Sequence, residues 1–63
     1  MKLLKYNAQY IRITDIEGNI YDGYAHFCAK DDYEVKEDGL EMRVDKDIWI
    51  FYESDIKSIE ILD

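Results

Sequence analysis

Tyr10-Ile11-Arg12-Ile13-Thr14-Asp15-Ile16-Glu17-Gly18-Asn19-Ile20-Tyr21-Asp22-Gly23 is the stretch on which the fold turns. Ile11 and Ile13 alternate with Arg12 and Thr14. This period of two with β-branched residues reads as a strand. Gly18-Asn19 is a turn signal, with Gly18 supplying a positive φ. The next run, residues 20–29, puts Tyr21, Ala25 and Phe27 on one face. Gly23 interrupts it, and a glycine inside a strand pattern marks a bulge, a sharp bend or a close backbone approach.

Outward from that stretch the alternation recurs. Residues 40–44 read as a third strand with Leu40, Met42 and Val44 inward. Asp45-Lys46-Asp47 is a tight polar connection. Ile48-Trp49-Ile50-Phe51-Tyr52 is a fourth strand, apolar on both faces. Glu53-Ser54-Asp55 reads as a 3₁₀ turn, and residues 56–62 as a fifth strand with Ile59 and Ile61 on one face. Residues 30–39 are charged and turn-like, with Asp38-Gly39 a hairpin signal. Residues 1–8, with Leu3-Leu4, suggest a short N-terminal helix of one or two turns. Five short strands at regular spacing argue an all-β fold, a small bent antiparallel barrel occupying residues 1–63 as one domain.

Composition bounds the function. A chain of 63 residues has an expected folded surface of about 4,300 Å² against about 11,000 Å² unfolded, which is a thin core. Chains this short usually need a staple, a metal or a partner subunit. One cysteine, Cys28, excludes an internal disulfide, and one histidine, His26, excludes paired-histidine metal sites. The net charge of −7 disfavours non-specific binding to a phosphate backbone. No apolar run approaches the roughly 18–20 residues of a membrane span. A soluble, cytoplasmic protein without cofactors is the expectation.

The Gly18–Gly23 stretch resembles the first motif of the Sm-like (LSM) proteins, with Tyr21 in the inward position two places before the second glycine. Residues 48–61 look like the second motif: a strand, a 3₁₀ corner and a last strand. The resemblance implies a bent five-stranded SH3-like barrel whose fourth and fifth strands pair between neighbours into rings of about six or seven subunits. The apolar fourth strand accords with that, because an unpaired edge without interrupting charges is adhesive. The expected homo-oligomer interface is Ile48, Trp49, Ile50, Phe51, Ile59 and Ile61. A monomer with Trp49 and Phe51 in its own core is the alternative.

The family's usual ligand is single-stranded, uridine-rich RNA, and here the chain departs from the pattern. Ala29, Asp31 and Tyr33 stand where the family commonly has Asp, an aromatic and Asn. Tyr52-Glu53 stands where it has Arg-Gly or Lys-Gly. The usual uridine pocket is therefore divergent or absent. Tyr33 and Tyr52 remain as candidate stacking faces and Lys30 as a single cation. Half-buried packing at strand ends is the competing account of the tyrosines.

Other constellations point away from catalysis. Asp31, Asp32, Glu34, Glu37 and Asp38 lack the spacing of an EF-hand loop and read as a solvated charged loop. His26 and Cys28 lie two apart on a strand, with no sign of the oxyanion hole that a Cys–His nucleophile needs, and read as partly exposed strand residues. No carboxylate sits where desolvation would tune it for acid–base work. The expected function is a non-enzymatic ring-forming Sm-like protein. The alternative is an acidic SH3-like module that recognises a basic partner protein and no RNA.

Overall fold

The computed structural model describes residues 2–62. Its five strands are β1 (Gln9–Asp15), β2 (Ile20–Cys28), β3 (Gly39–Val44), β4 (Asp47–Tyr52) and β5 (Ile56–Ile61). A single-turn helix, α1 (Lys30–Tyr33), links β2 to β3. One 3₁₀ turn covers Leu3–Tyr6, and a second covers Glu53–Asp55. All strand pairs are antiparallel, in the order β4-β3-β2-β1-β5. Among the described residues β4 and β5 share no ladder, so the sheet is open with those two strands as its edges.

The core follows the alternation. Ile11 and Ile13 of β1, and Leu40 and Met42 of β3, are fully buried, and Val44 packs beside them. Each such aliphatic side chain contributes roughly 1.5–3 kcal/mol when removed from water. Leu3, only 1% exposed, drops from the first 3₁₀ turn onto this core. The N-terminal segment is thus one tight turn rather than a longer helix, held by the Asn7 amide donating to Leu4 O at 3.0 Å. The folded surface is 4,563 Å², close to the expected value, so the core is as thin as the length dictates.

β2 divides its pairing between two partners. Its first half pairs with β1 through Gln9↔Ala25, and its second half pairs with β3 from Ala25↔Met42 onward. Gly23 lies just before the handover. The β1–β2 ladder runs through it without a register shift, so it marks no bulge there. What it permits is a close approach: a Cβ on Gly23 would stand 2.5 Å from the Arg43 carbonyl oxygen. Gly18 supplies the positive φ (+88°) in the β1–β2 turn.

Several sequence expectations need correction. The charged 30–39 segment is not only a loop. Lys30–Tyr33 winds into α1, and Glu34 closes it in the left-handed region (φ 53°). Asp31 and Asp32 favour its first turn, and Asp38 Oδ1 accepts the Lys30 amide at 2.9 Å. Gly39 belongs to no tight hairpin. It opens β3, buried against Phe51 O and the Tyr52 ring, where a Cβ would meet atoms at 3.2–3.3 Å.

β5 also differs. Its register against β1 shifts between Thr14 and Asp15, leaving Lys57 as an extra residue. That bulge lets Ile56 and Ile59, three apart, both turn inward, and Ile56 joins the core at 6% exposure. Cys28 is buried rather than partly exposed, while His26 is exposed as expected.

Candidate functional site

Both open edges carry exposed apolar side chains. On β4, Leu40↔Phe51 and Met42↔Trp49 place Phe51 and Trp49 on the core side. Phe51 is buried and Trp49 is 42% exposed at the rim. Ile48 and Ile50 lie on the opposite face and are 60% and 44% exposed. On β5, Ile59 packs partly into the core opposite Ile13, whereas Ile61 and Leu62 are exposed. Of the six residues expected at an interface, Phe51 and Ile59 therefore serve the chain's own core. Ile48, Trp49, Ile50 and Ile61 remain available.

Lys30, Tyr33 and Tyr52 come from two elements, α1 and the end of β4, and do not line a common pocket. Lys30 opens α1 and Tyr33 ends it, both exposed. Tyr52 ends β4 half-buried, beside Val35, Lys36 and Glu37. Strand-end packing thus describes Tyr52 but not Tyr33. Hydrogen bonding with the Cys28 thiol, reinforced by the negative charge that thiol carries when ionised, raises the Tyr33 pKa above its ordinary 10.0.

What the region brings together instead is anionic. The Ser54 amide and hydroxyl both donate to the Glu37 carboxylate at 2.8 Å. The Glu53 amide donates to Asp38 O at 3.2 Å, and the Tyr52 amide to Asp55 Oδ2 at 3.1 Å. The α1–β3 loop is thereby fastened to the second 3₁₀ turn. A charged loop looks solvated in a sequence, but here its Glu37 and Asp38 are structural clamps. Among the described residues no three His, Cys, Asp or Glu side chains gather as metal ligands, and no helix is long and apolar enough to cross a membrane.

A groove of about 300 Å³ lies between the β1–β2 turn, β4 and the second 3₁₀ turn. Three aromatic rings line one side. Tyr21 stands 5.0 Å from Phe51 and 5.5 Å from Trp49 by ring centroids, and Trp49 and Phe51 stack at 6.3 Å. Asp15, Glu17 and Asp55 line the rest with Ile16, Asn19 and Ile50.

Asp15 is held by its own turn. Its Oδ1 accepts the amides of Glu17 (3.0 Å) and Asn19 (2.8 Å), and its Oδ2 the Asn19 side-chain amide (3.2 Å). Desolvation pushes this carboxyl up, but the hydrogen bonds from Asn19, Glu17 and Gly18 outweigh it and leave the pKa below 3.8. The sequence pattern alone assigns Asp15 no role. The usable signal was an Asp shortly before Gly18-Asn19, an Asx-turn arrangement.

Comparison with protein-family models, with curated proteins and with solved structures found no match. The fold and this site define a small all-β chain built on one open, five-stranded antiparallel sheet.

Proposed function

We propose that this chain is a non-enzymatic Sm-like module, an SH3-like barrel that assembles head-to-tail by pairing β4 of one copy with β5 of the next. One observation carries the reading: the order β4-β3-β2-β1-β5 leaves those two strands as unlike edges, with Ile48, Trp49 and Ile50 exposed on one and Ile61 on the other. Unlike edges that pair make a heterologous contact, which closes into a ring when the rotation permits. The 3₁₀ corner at Glu53–Asp55 adds support, since it stands where the family turns between its last two strands.

In this reading the usual uridine site is lost. The positions expected to hold it carry Ala29, Asp31, Tyr33 and Tyr52-Glu53, and the neighbouring loop is clamped by carboxylates. Light scattering coupled to gel filtration tests the assembly. The expected mass is about six or seven times 7.6 kDa, and Ile48→Lys reduces it to one chain. A monomer peak for the wild-type chain at micromolar concentration rejects the ring. Oligo-uridine at physiological salt is expected to bind weakly or not at all.

A second reading is an acidic interaction module that recruits a basic protein without RNA. The groove beside Trp49 favours it, because its charged lining is entirely anionic.

A further inference from the structure

We infer that the groove lined by Tyr21, Trp49 and Phe51 and by Asp15, Glu17 and Asp55 binds a cationic side chain, arginine or alkylated lysine, presented by a basic peptide segment of another protein. The inference deepens the interaction-module reading. It does not need the ring, because the whole groove is formed within one chain.

Three observations carry it. The first is the aromatic wall. An aromatic face attracts a cation through its quadrupole, and indole is the best of the three rings. Trp49 is 42% exposed, so part of its surface is open to a ligand, while Phe51 and Tyr21 hold it from behind. The second is charge. Three carboxylates line the groove and no lysine, arginine or histidine does. Asp15 stays ionised because its turn donates three hydrogen bonds to it. The third is size. At about 300 Å³ the groove sits at the lower limit of ligand cavities, roughly 300–1,000 Å³, which suits one side chain rather than a large molecule. A phosphate-bearing ligand would meet like charges on one side, and a purely apolar one would leave the carboxylates facing it undersolvated. The net charge of −7 also raises the local concentration of cationic segments.

The test is amide NMR of the ¹⁵N-labelled chain titrated with a Gly/Ser peptide bearing one central arginine. Matched peptides carry trimethyl-lysine or the neutral isostere citrulline. The expected result is a saturable shift of the Trp49 indole N–H together with the Glu17 and Tyr21 amides. Citrulline is expected to bind about tenfold more weakly than arginine, equal to about 1.4 kcal/mol. Trimethyl-lysine binding more tightly than arginine assigns the site to alkylated lysine, and the reverse assigns it to arginine.

Glu17→Lys changes an exposed turn residue. It is expected to keep the folded spectrum and lose about tenfold in affinity. Trp49→Ala is expected to abolish binding, with Glu17→Lys as the safeguard if that variant unfolds. Equal binding of citrulline, shifts centred elsewhere, unchanged affinity in Glu17→Lys, or no shift at about 10 mM peptide would each overturn the assignment. Ile48→Lys separates this from assembly, since Ile48 lies outside the groove. Its affinity is expected within about threefold of wild type. Binding seen only in Ile48→Lys would mean that a neighbouring copy fills the groove, and would exclude a peptide as its occupant.

Discussion

Gly23 in β2 and the carbonyl of Arg43 in β3 stand so close that a methyl group on Gly23 would lie 2.5 Å from the oxygen. That carbonyl is backbone, and its neighbour Met42 is fully buried, so β3 cannot yield without disturbing the core. The closeness lets β2 leave β1 and continue along β3. Gly18 is a glycine for a different reason: nothing lies within 4 Å of a Cβ there, but its φ is +88°.

Gly23→Ala is therefore expected to destabilise the fold by about 1–3 kcal/mol through overpacking. Gly18→Ala is expected to cost about 1–2 kcal/mol through left-handed strain alone. Urea denaturation measures both. A Gly23→Ala chain as stable as wild type would mean that β3 moves freely.

Leu3 tests whether the first 3₁₀ turn belongs to the core. At 1% exposure against Ile11, Leu40 and their neighbours, Leu3→Ala is expected to cost about 2–5 kcal/mol. Leu4→Ala, one residue on and 64% exposed, is expected to change stability by less than about 0.5 kcal/mol. Equal effects would contradict the packing.

Arg12 and Asp22 are direct cross-strand partners, with Nε–Oδ1 at 2.7 Å and Nη2–Oδ2 at 3.0 Å. The hydrogen bond from Arg12 holds the Asp22 carboxyl below its ordinary 3.8. Because the folded value is the lower one, the contribution of the pair is present above the unfolded value and is lost as pH falls through the folded one. Both side chains are well exposed, so the effect on overall stability is small. Carboxyl-carbon NMR is the suitable readout: the Asp22 midpoint is expected below 3.8, and Arg12→Met returns it to the ordinary value.

Cys28 is 7% exposed, beside the Tyr33 hydroxyl. A thiol reagent is expected to label the native chain far more slowly than the unfolded one. Tyr33→Ala, which removes a 57% exposed side chain, is expected to raise the native rate at least about tenfold with little loss of stability. Identical rates in both proteins would show that Tyr33 does not cover the thiol.

β1 and β3 were legible because each shows its parity to solvent and core. Ile11, Ile13, Leu40 and Met42 sit where alternation puts them. Parity also explains the failures. Ile56 was missed because the extra residue at Lys57 resets the period, and no local signal announces a bulge. α1 was missed because four residues are too few to carry a helical period. The burial of Cys28 was missed because a residue at the end of a strand run carries no parity signal of its own. The groove was hidden because Tyr21, Trp49 and Asp15 meet only after the sheet has formed. The β4 edge, by contrast, was visible in the uninterrupted apolar run at residues 48–52.

The seam between β1 and β5 sets the order in which the molecule is made. Every other ladder joins strands that follow one another along the chain, and only this one joins the two ends, as in Ile11↔Ile61. Closing it costs the most chain entropy, so β5 is expected to dock last and to leave first. On that side Ile11 stands opposite Ile61 and Ile13 opposite Ile59. The lifetime of this late-forming ladder therefore governs how long a nascent or fluctuating chain displays its stickiest residues.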